Sequence, residues 1–235
     1  MAEWFHTFDE DLWLKADETG ETDAPFILNA LALQPGACVL DAPCGAGRIS
    51  VPLARAGCRV TGVDLLSQHA RRAERRCTVE GLPAEFIVKD LRRLDFTGAF
   101  DAVINWGGSF GYFSDAENAD VLRRFARALK PGGRVLIDQP NREYVLRNFR
   151  SQVAGEELTI RNSWNAALQR IESSWTIHDP AGERKSVSSM RMYTPLQFRR
   201  LFERAGLTWE TASGGLDGSP LVRASHRIYV IARKY

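Results

Sequence analysis

The sequence VLDAPCGAGR at Val39–Arg48, followed by CRVTGVD at Cys58–Asp64, decides the fold. Each stretch contains a short apolar strand that ends in an acid, and a glycine turn and a helix follow the first strand. Gly45 and Gly47 have no side chains, so a ligand can approach the backbone closely there. The helix that begins at this turn points free N–H groups at an anion. The pattern predicts a nucleotide pocket in which Asp64 faces a ribose.

Composition and charge fit one ordinary α/β domain. The chain has 235 residues, of which 44% are hydrophobic and 26% charged, and its formal net charge is +2. This charge is too small for the concentrated basic face of a nucleic-acid-binding protein. Arg71, Arg72, Arg75 and Arg76 have helical spacing, which favours a solvated helix face. We therefore predict no nucleic-acid partner.

Cysteine, histidine and N-terminal patterns argue against several other classes of protein. The four cysteines form no CxxC pair and the four histidines do not fall near them in a zinc-finger pattern, so no metal site is predicted. Free thiols fit a reducing compartment. The first residues lack the basic and apolar regions of a signal peptide, and no window is long and apolar enough for a membrane span. We expect a cytoplasmic protein without a membrane partner.

Strand and helix patterns alternate from Cys38 to Pro140, which predicts a doubly wound parallel sheet. The clearest helix is Glu117–Leu129, and Lys130-Pro131-Gly132-Gly133 is expected to end it. After the first strand, the next four are predicted at Arg59–Asp64, Ala84–Lys89, Phe100–Asn105 and Arg134–Asp138.

The pattern changes after Asn148. Three strand-like stretches, separated by turn residues, predict a partly exposed antiparallel sheet at Glu156–Trp164, Ala167–Ile177 and Arg184–Met192. A helix with Thr194 as its N-cap then runs to Ala205. The last two strands are predicted at Leu207–Thr211 and His226–Arg233.

These residues resemble the class I S-adenosylmethionine-dependent methyltransferases. The resemblance rests on DAPCGAG at Asp41–Gly47, GVD at Gly62–Asp64, KDL at Lys89–Leu91 and LKPGG at Leu129–Gly133. It implies a Rossmann-like α/β fold: a seven-stranded sheet with one antiparallel strand, flanked by helices, with an antiparallel β insertion after strand five. The family often has glycine at the position of Pro43, which has no N–H to donate.

The implied single domain divides into four parts. These are an N-terminal helical and aromatic lid (1–36), a cofactor-binding core (37–148), inserted strands that cover the active site (149–193), and a C-terminal helix with two strands (194–235). The aromatic residues of Trp4–Phe8, with Trp13, are expected to form a lid, and a helix packed on the sheet edge is the alternative.

The resemblance also implies roles for individual residues around S-adenosylmethionine. Asp41 would lie near the amino end of the methionine moiety, Asp64 would bind both ribose hydroxyls, and Asp90 would bind the adenine amino group. The amides around Gly45 and Gly47 suit the ligand carboxylate. The complete predicted cofactor-binding set is Asp41, Cys44, Gly45, Gly47, Asp64, Leu65, Asp90, Leu91 and Asn105.

On the substrate side, the most informative segment is Asn105–Phe113, NWGGSFGYF. It follows strand four, where open α/β sheets present their ligand crevice. Tyr112 corresponds to a polar aromatic near the transferred methyl group in some family members and is a candidate catalytic residue. His178, in the insertion, is a second candidate. Core packing is an alternative explanation for Phe110 and Phe113.

The resulting hypothesis is methyl transfer to a nitrogen or oxygen of a small-molecule acceptor by in-line displacement. Since positioning supplies most of the acceleration of such a reaction, no catalytic triad is required. Three alternatives stay open: a nicotinamide-dependent reductase, a non-catalytic cofactor-binding partner protein, and a methyltransferase with a peptide acceptor. A monomer and a homodimer are equally compatible with the sequence.

Overall fold

A computed structural model describes residues 3–8, 20–180 and 182–235. Trp13, part of the predicted lid, lies outside these residues. Seven strands form one sheet in the order β10-β11-β5-β4-β1-β2-β3, and β11 alone runs antiparallel to its neighbours β5 and β10. The strands are β1 (Cys38–Asp41), β2 (Arg59–Asp64), β3 (Ala84–Val88), β4 (Phe100–Asn105), β5 (Leu129–Pro140), β10 (Thr208–Ser213) and β11 (Arg227–Arg233). This arrangement confirms the predicted fold class.

Helices cover both faces of this sheet. They are α1 (Gly20–Leu31), α2 (Ser50–Arg55), α3 (Ser67–Glu80), α4 (Asp115–Ala128), α5 (Arg142–Arg147) and α6 (Pro195–Arg204). Apolar residues of α1 and α2 pack on one face of the sheet. Those of α4 and α6 pack on the other. Of the four arginines on α3, Arg71, Arg72 and Arg75 are exposed and Arg76 is half-buried, which agrees with a solvated face.

The clearest predicted helices begin where their capping residues indicate. Ser114 and Glu117 form a reciprocal capping box at the start of α4, and Thr194 and Gln197 form another at α6. In each box two backbone N–H groups that the helix leaves unpaired gain side-chain acceptors. Both helices lie within about two residues of their predicted bounds.

The LKPGG segment differs from its prediction. Helix α4 ends at Ala128, and β5 already begins at Leu129, five residues before the predicted start. Leu129 pairs with Phe100 and Arg134 pairs with Ala102, so the four residues between them bulge out against Asp101. The Lys-Pro-Gly-Gly turn therefore lies inside a strand rather than before it.

The insertion is a separate antiparallel sheet of four strands in the order β6-β7-β8-β9. These are β6 (Gln152–Ala154), β7 (Leu158–Asn165), β8 (Arg170–Asp179) and β9 (Gly182–Arg191). The sequence predicted three strands. The additional β6 is fully exposed and only three residues long, so it carries no alternation of apolar and polar residues by which it could be recognised.

The N-terminal residues form a 3-10 turn at Trp4–His6 rather than a regular helix. Trp4, Phe5 and Phe8 are buried and pack with aromatic side chains of the β4–α4 loop and of the insertion. The segment thus joins three parts of the chain that are distant in sequence. Over the described ranges, we find no helix with the length and apolar character needed to cross a bilayer.

Candidate active site

A cavity of about 230 Å³ opens at the carboxyl ends of β1, β2 and β4. In a parallel sheet these ends meet at one edge, where the loops that follow the strands enclose a crevice. The predicted residues that line it are Asp41, Cys44, Gly45, Asp64, Leu65, Asp90, Leu91 and Tyr112. The fold therefore brings together residues from four separate sequence segments.

Asp64 ends β2 and is buried. One carboxylate oxygen accepts a hydrogen bond from the Gly45 amide at 2.9 Å, and the other accepts one from the Leu66 amide, also at 2.9 Å. Burial raises the pKa of this carboxyl, although the backbone hydrogen bonds act in the opposite direction. A carboxylate has about four lone-pair sites, so each oxygen retains acceptor capacity toward a ligand.

Asp41 ends β1 and is also buried. Burial raises its pKa to about 7, against the hydrogen bond from the Ser50 hydroxyl and the charge of Arg48, which lower it. The Ser50 oxygen lies 2.6 Å from the Asp41 carboxylate. Near neutral pH this group is therefore poised between its two charge states, and a cationic ligand would favour the ionised one.

The two glycines of the turn have different functions. Gly45 has φ +53° and nothing within 4 Å of the position where a Cβ would be, so its backbone faces open space. At Gly47 (φ +83°) a Cβ would lie 2.9 Å from the Ala73 Cβ, so this glycine permits close packing with α3 and does not line the cavity. The Gly45 amide donates to Asp64 and the Gly47 amide to the Cys44 carbonyl. Both amides thus have acceptors within the protein, and binding of the ligand carboxylate by the amides around these glycines stays a prediction.

Asp90 and Leu91 lie at a 3-10 turn after β3 and form another wall of the cavity. The Asp90 carboxylate accepts hydrogen bonds from the backbone and guanidinium N–H groups of Arg92. Burial raises the pKa of Asp90, but the hydrogen bonds from Arg92 outweigh it and hold that pKa below its usual value. Asp90 therefore both caps a turn and lines the cavity.

Aromatic side chains line the side of the cavity formed by the N-terminal segment and the β4–α4 loop. They are Phe5, Trp106, Tyr112 and Phe113, and Ser109 adds a hydroxyl group. Burial raises the pKa of Tyr112 to about 12, although a hydrogen bond with Ser109 acts to lower it. Tyr112 is consequently protonated at neutral pH. Phe110 does not line the cavity and packs in the core, as the alternative explanation held.

Besides Gly47, two predicted site residues do not line the cavity. Asn105 is buried at the end of β4, where its side-chain amide donates to the Ala42 carbonyl at 2.8 Å and so links β4 to the turn after β1. His178 lies on β8 in the insertion, with its Nε2 3.0 Å from the Thr159 hydroxyl and its Nδ1 3.4 Å from Glu183. Within the described part of the chain, no residue of 149–193 lines the cavity, so the insertion does not form its wall.

A polar network on α1 and the turn after β1 was not predicted from the sequence. Asp23 accepts hydrogen bonds from Arg48 and from the Trp106 indole, each at 2.8 Å. Arg48 and Trp106 both line the cavity. Arg48 directly follows Gly47, so its position beside the turn was a usable signal. No pattern in the sequence of α1 indicated that Asp23 would bind residues of the cavity wall.

Cys44 lines the cavity, but burial first and the charges of Asp41 and Asp64 second hold its pKa well above the usual value, so the thiol stays protonated. All four cysteines are free. Among the residues that the structure describes, no cluster of three or more His, Cys, Asp or Glu side chains is arranged to hold a metal ion.

Comparison with known proteins agrees with this architecture. Residues 39–133 match a family described as a methyltransferase domain. Over 120 residues the chain is 35% identical to an S-adenosyl-L-methionine-dependent Diels-Alderase of Talaromyces variabilis, a match that covers 49% of this chain and 40% of that relative. The chain thus spans less than half of this relative.

Two solved structures share nearly the whole fold. The CcbJ methyltransferase of Streptomyces caelestis superposes with a TM-score of 0.80 at 16% identity, covering 92% of this chain and 89% of the other. A sugar N-methyltransferase from a Streptoalloteichus species gives a TM-score of 0.69 at 23% identity, covering 97% and 94%. Residues 39–133 thus match a methyltransferase domain, and the chain has the fold of these solved methyltransferases.

Proposed function

We propose that this chain is a methyltransferase that uses S-adenosylmethionine to methylate a nitrogen or oxygen of a small-molecule acceptor. The observation that carries the proposal is the buried Asp64 carboxylate, which two backbone amides hold in place at the cavity wall. Its remaining lone pairs suit a pair of adjacent hydroxyl donors, as a ribose provides. Each such charge-assisted hydrogen bond contributes about 1.5–3 kcal/mol.

The other charges at the cavity suit the remainder of this cofactor. Asp41 would accept from the ammonium group of the methionine moiety, and Asp90 with Leu91 would contact the adenine. Arg48, the one Arg or Lys among the described lining residues, is assigned to the methionine carboxylate. Cys44 and Leu65 would form an apolar part of the cavity wall. Three acids around one arginine favour a ligand of net positive charge.

When bound, the cofactor supplies a methyl group that is activated by its positive sulfur. The chain has to hold the acceptor in line with that methyl group and to exclude water, which can supply about 7–11 kcal/mol without covalent catalysis. Tyr112 fits an orienting role, because its raised pKa leaves no phenolate to act as a base at neutral pH. The N-terminal segment, whose Phe5 lines the cavity, would exclude water from the aromatic side.

The acceptor is proposed to be a small and weakly charged molecule. The aromatic side of the cavity presents rings and the Ser109 hydroxyl, and no acid or base among the described lining residues belongs to the β4–α4 loop. The fold is shared with an enzyme named as a sugar N-methyltransferase, which supports a small-molecule acceptor. A peptide acceptor is the alternative within the same chemistry.

Methyl transfer from a labelled donor tests the proposal directly. The protein is incubated with methyl-labelled S-adenosylmethionine and a panel of amines, phenols, amino sugars and short peptides, and thermal shifts are measured with S-adenosylhomocysteine and with NADPH. Labelled product and stabilisation by S-adenosylhomocysteine are expected. Stabilisation by NADPH alone would instead support the reductase alternative and overturn the proposal.

A second candidate function follows from the relative of Talaromyces variabilis, whose name joins this cofactor to a Diels-Alder reaction. In that case the chain would bind the cofactor and transfer no methyl group. Tight binding of S-adenosylmethionine without labelled product from any acceptor in the panel would favour this candidate, or a non-catalytic partner protein, over methyl transfer.

A further inference from the structure

The β4–α4 loop, residues 106–113, supplies most of the aromatic side of the cavity but has no regular secondary structure to hold it. Its backbone N–H and C=O groups therefore need other partners. The Gly108 amide donates to Asp138 at 3.1 Å, and the Phe110 carbonyl accepts from Gln139 at 2.8 Å. Two side chains of β5 thus fix the first half of the loop.

The second half of the loop is fixed from the insertion by one side chain. Arg170, at the start of β8, is buried. Its guanidinium donates to the carbonyls of Gly111 at 3.0 Å, Tyr112 at 2.9 Å and Phe113 at 2.9 Å. Three consecutive carbonyls of the cavity loop therefore share one cation.

Strand β9 holds the guanidinium in this position. The Arg170 Nε donates to the Ser189 hydroxyl at 2.7 Å, and a terminal nitrogen donates to the Ser189 carbonyl at 2.9 Å. That carbonyl also accepts from the Trp4 indole at 3.1 Å, and the Trp4 ring lies 4.7 Å from the Tyr112 ring, centroid to centroid. Ser189 therefore joins Arg170 to the N-terminal segment as well.

The loop and the insertion are in close contact at this point. Gly111 has φ +110°, and a Cβ built on it would lie 2.3 Å from the Arg191 carbonyl oxygen, which excludes any larger residue there. The Gly111 carbonyl accepts from the Arg191 amide at 2.8 Å as well as from Arg170. The loop and the insertion are thus joined by backbone hydrogen bonds at a distance that only glycine allows.

We infer that Arg170 is a positioning residue: from the insertion, and without lining the cavity, it sets the placement of Tyr112 and Phe113 in the cavity wall. The planar guanidinium presents five N–H groups in a rigid fork, whereas a lysine ammonium has three donors on one nitrogen. A lysine at this position keeps the charge but cannot reach the three carbonyls and Ser189 together. The insertion then influences ligand binding through the hydrogen bonds of the Arg170 guanidinium to the loop.

The test compares Arg170→Lys with Arg161→Lys, a matched change at an exposed arginine on the adjacent strand β7. Two quantities are measured: hydrogen exchange of residues 106–113, and calorimetric affinity for S-adenosylhomocysteine. Arg170→Lys is expected to speed exchange in the loop and to weaken this affinity about tenfold, the effect of about 1.4 kcal/mol of lost hydrogen bonding. Arg161→Lys is expected to change neither.

A double-mutant cycle with Tyr112→Ala separates positioning from general destabilisation. If Arg170 acts through the placement of Tyr112, the combined loss of affinity is smaller than the product of the two single losses. A folded Arg170→Lys protein with affinity within about twofold of wild type, or a strictly multiplicative cycle, contradicts the inference.

If Arg170→Lys does not fold, Ser189→Ala tests the inference instead. It removes the hydroxyl that accepts the hydrogen bond from the Arg170 Nε and leaves the loop residues unchanged. Faster exchange in 106–113 with a smaller loss of affinity supports the inference, and unchanged values for both oppose it. The inference rests on the proposed cofactor for its affinity measurement. Failure of the wild-type chain to bind S-adenosylhomocysteine refutes the proposed function alone, and loop exchange then decides whether Arg170 positions the loop.

Discussion

Replacing Asp64 by asparagine tests the central contact of the site with the smallest change of shape. In the wild-type chain both carboxylate oxygens accept backbone hydrogen bonds at 2.9 Å. An asparagine offers one oxygen and one NH2 group, so either the Gly45 or the Leu66 amide would face another donor. The variant therefore loses an acceptor toward the ligand as well as the negative charge.

The expected loss of affinity is calculated from the hydrogen bonds removed. Loss of one charge-assisted hydrogen bond to a ribose hydroxyl costs about 1.5–3 kcal/mol, or about tenfold to hundredfold in the dissociation constant. The backbone amide left unpaired costs about 1–3 kcal/mol of folding stability, in the free and the bound protein alike. We therefore expect Asp64→Asn to bind S-adenosylhomocysteine at least tenfold more weakly, measured by titration calorimetry.

Asp95→Asn is the matched control, since Asp95 is exposed and pairs with Lys89 on the surface outside the cavity. It is expected to bind S-adenosylhomocysteine with unchanged affinity. Circular dichroism verifies that both variants are folded. If folded Asp64→Asn binds within about threefold of wild type, Asp64 does not hold the ribose and the reasoning about the site is wrong.

Four further variants test other parts of the chain. The pKa of Asp41 is about 7 in the folded chain against 3.8 ordinarily, so folding favours its protonated form, and the unfolding free energy should fall as pH rises from about 4 to 7. S-adenosylhomocysteine affinity should rise from pH 6 to 8 as Asp41 ionises, and Asp41→Asn should flatten both dependences in calorimetry and thermal melts. Tyr112→Phe should keep turnover within about tenfold of wild type with no change in the pH profile, because the phenol is not a base, and a larger loss would assign it a chemical role. Trp4→Ala should lower the unfolding free energy by about 3 kcal/mol in denaturant titrations, since Trp4 is only 4% exposed. His178 does not line the cavity, so His178→Ala should leave binding and turnover unchanged.

The sequence determined the doubly wound core, because its signals are local. Apolar runs that end in Asp41 and Asp64, glycines between them, and capping residues such as Ser114 and Thr194 each specify structure within a few residues of themselves. Right-handed crossovers restrict the possible strand orders, and the acids that end parallel strands meet at one edge of the sheet. The predicted cofactor-binding residues all lie at or after the carboxyl ends of β1, β2, β3 and β4, which such signals define.

Only the tertiary structure decided which of these residues face the cavity. Gly47 packs against α3 and Asn105 bonds to Ala42, although both follow the same pattern as residues that line the site. The network of Asp23, Arg48 and Trp106, and the reach of Arg170 across 57 to 59 positions to three loop carbonyls, join residues with no local relation in sequence. Such contacts depend on where separate elements pack, and periodicity within a segment carries no information about that.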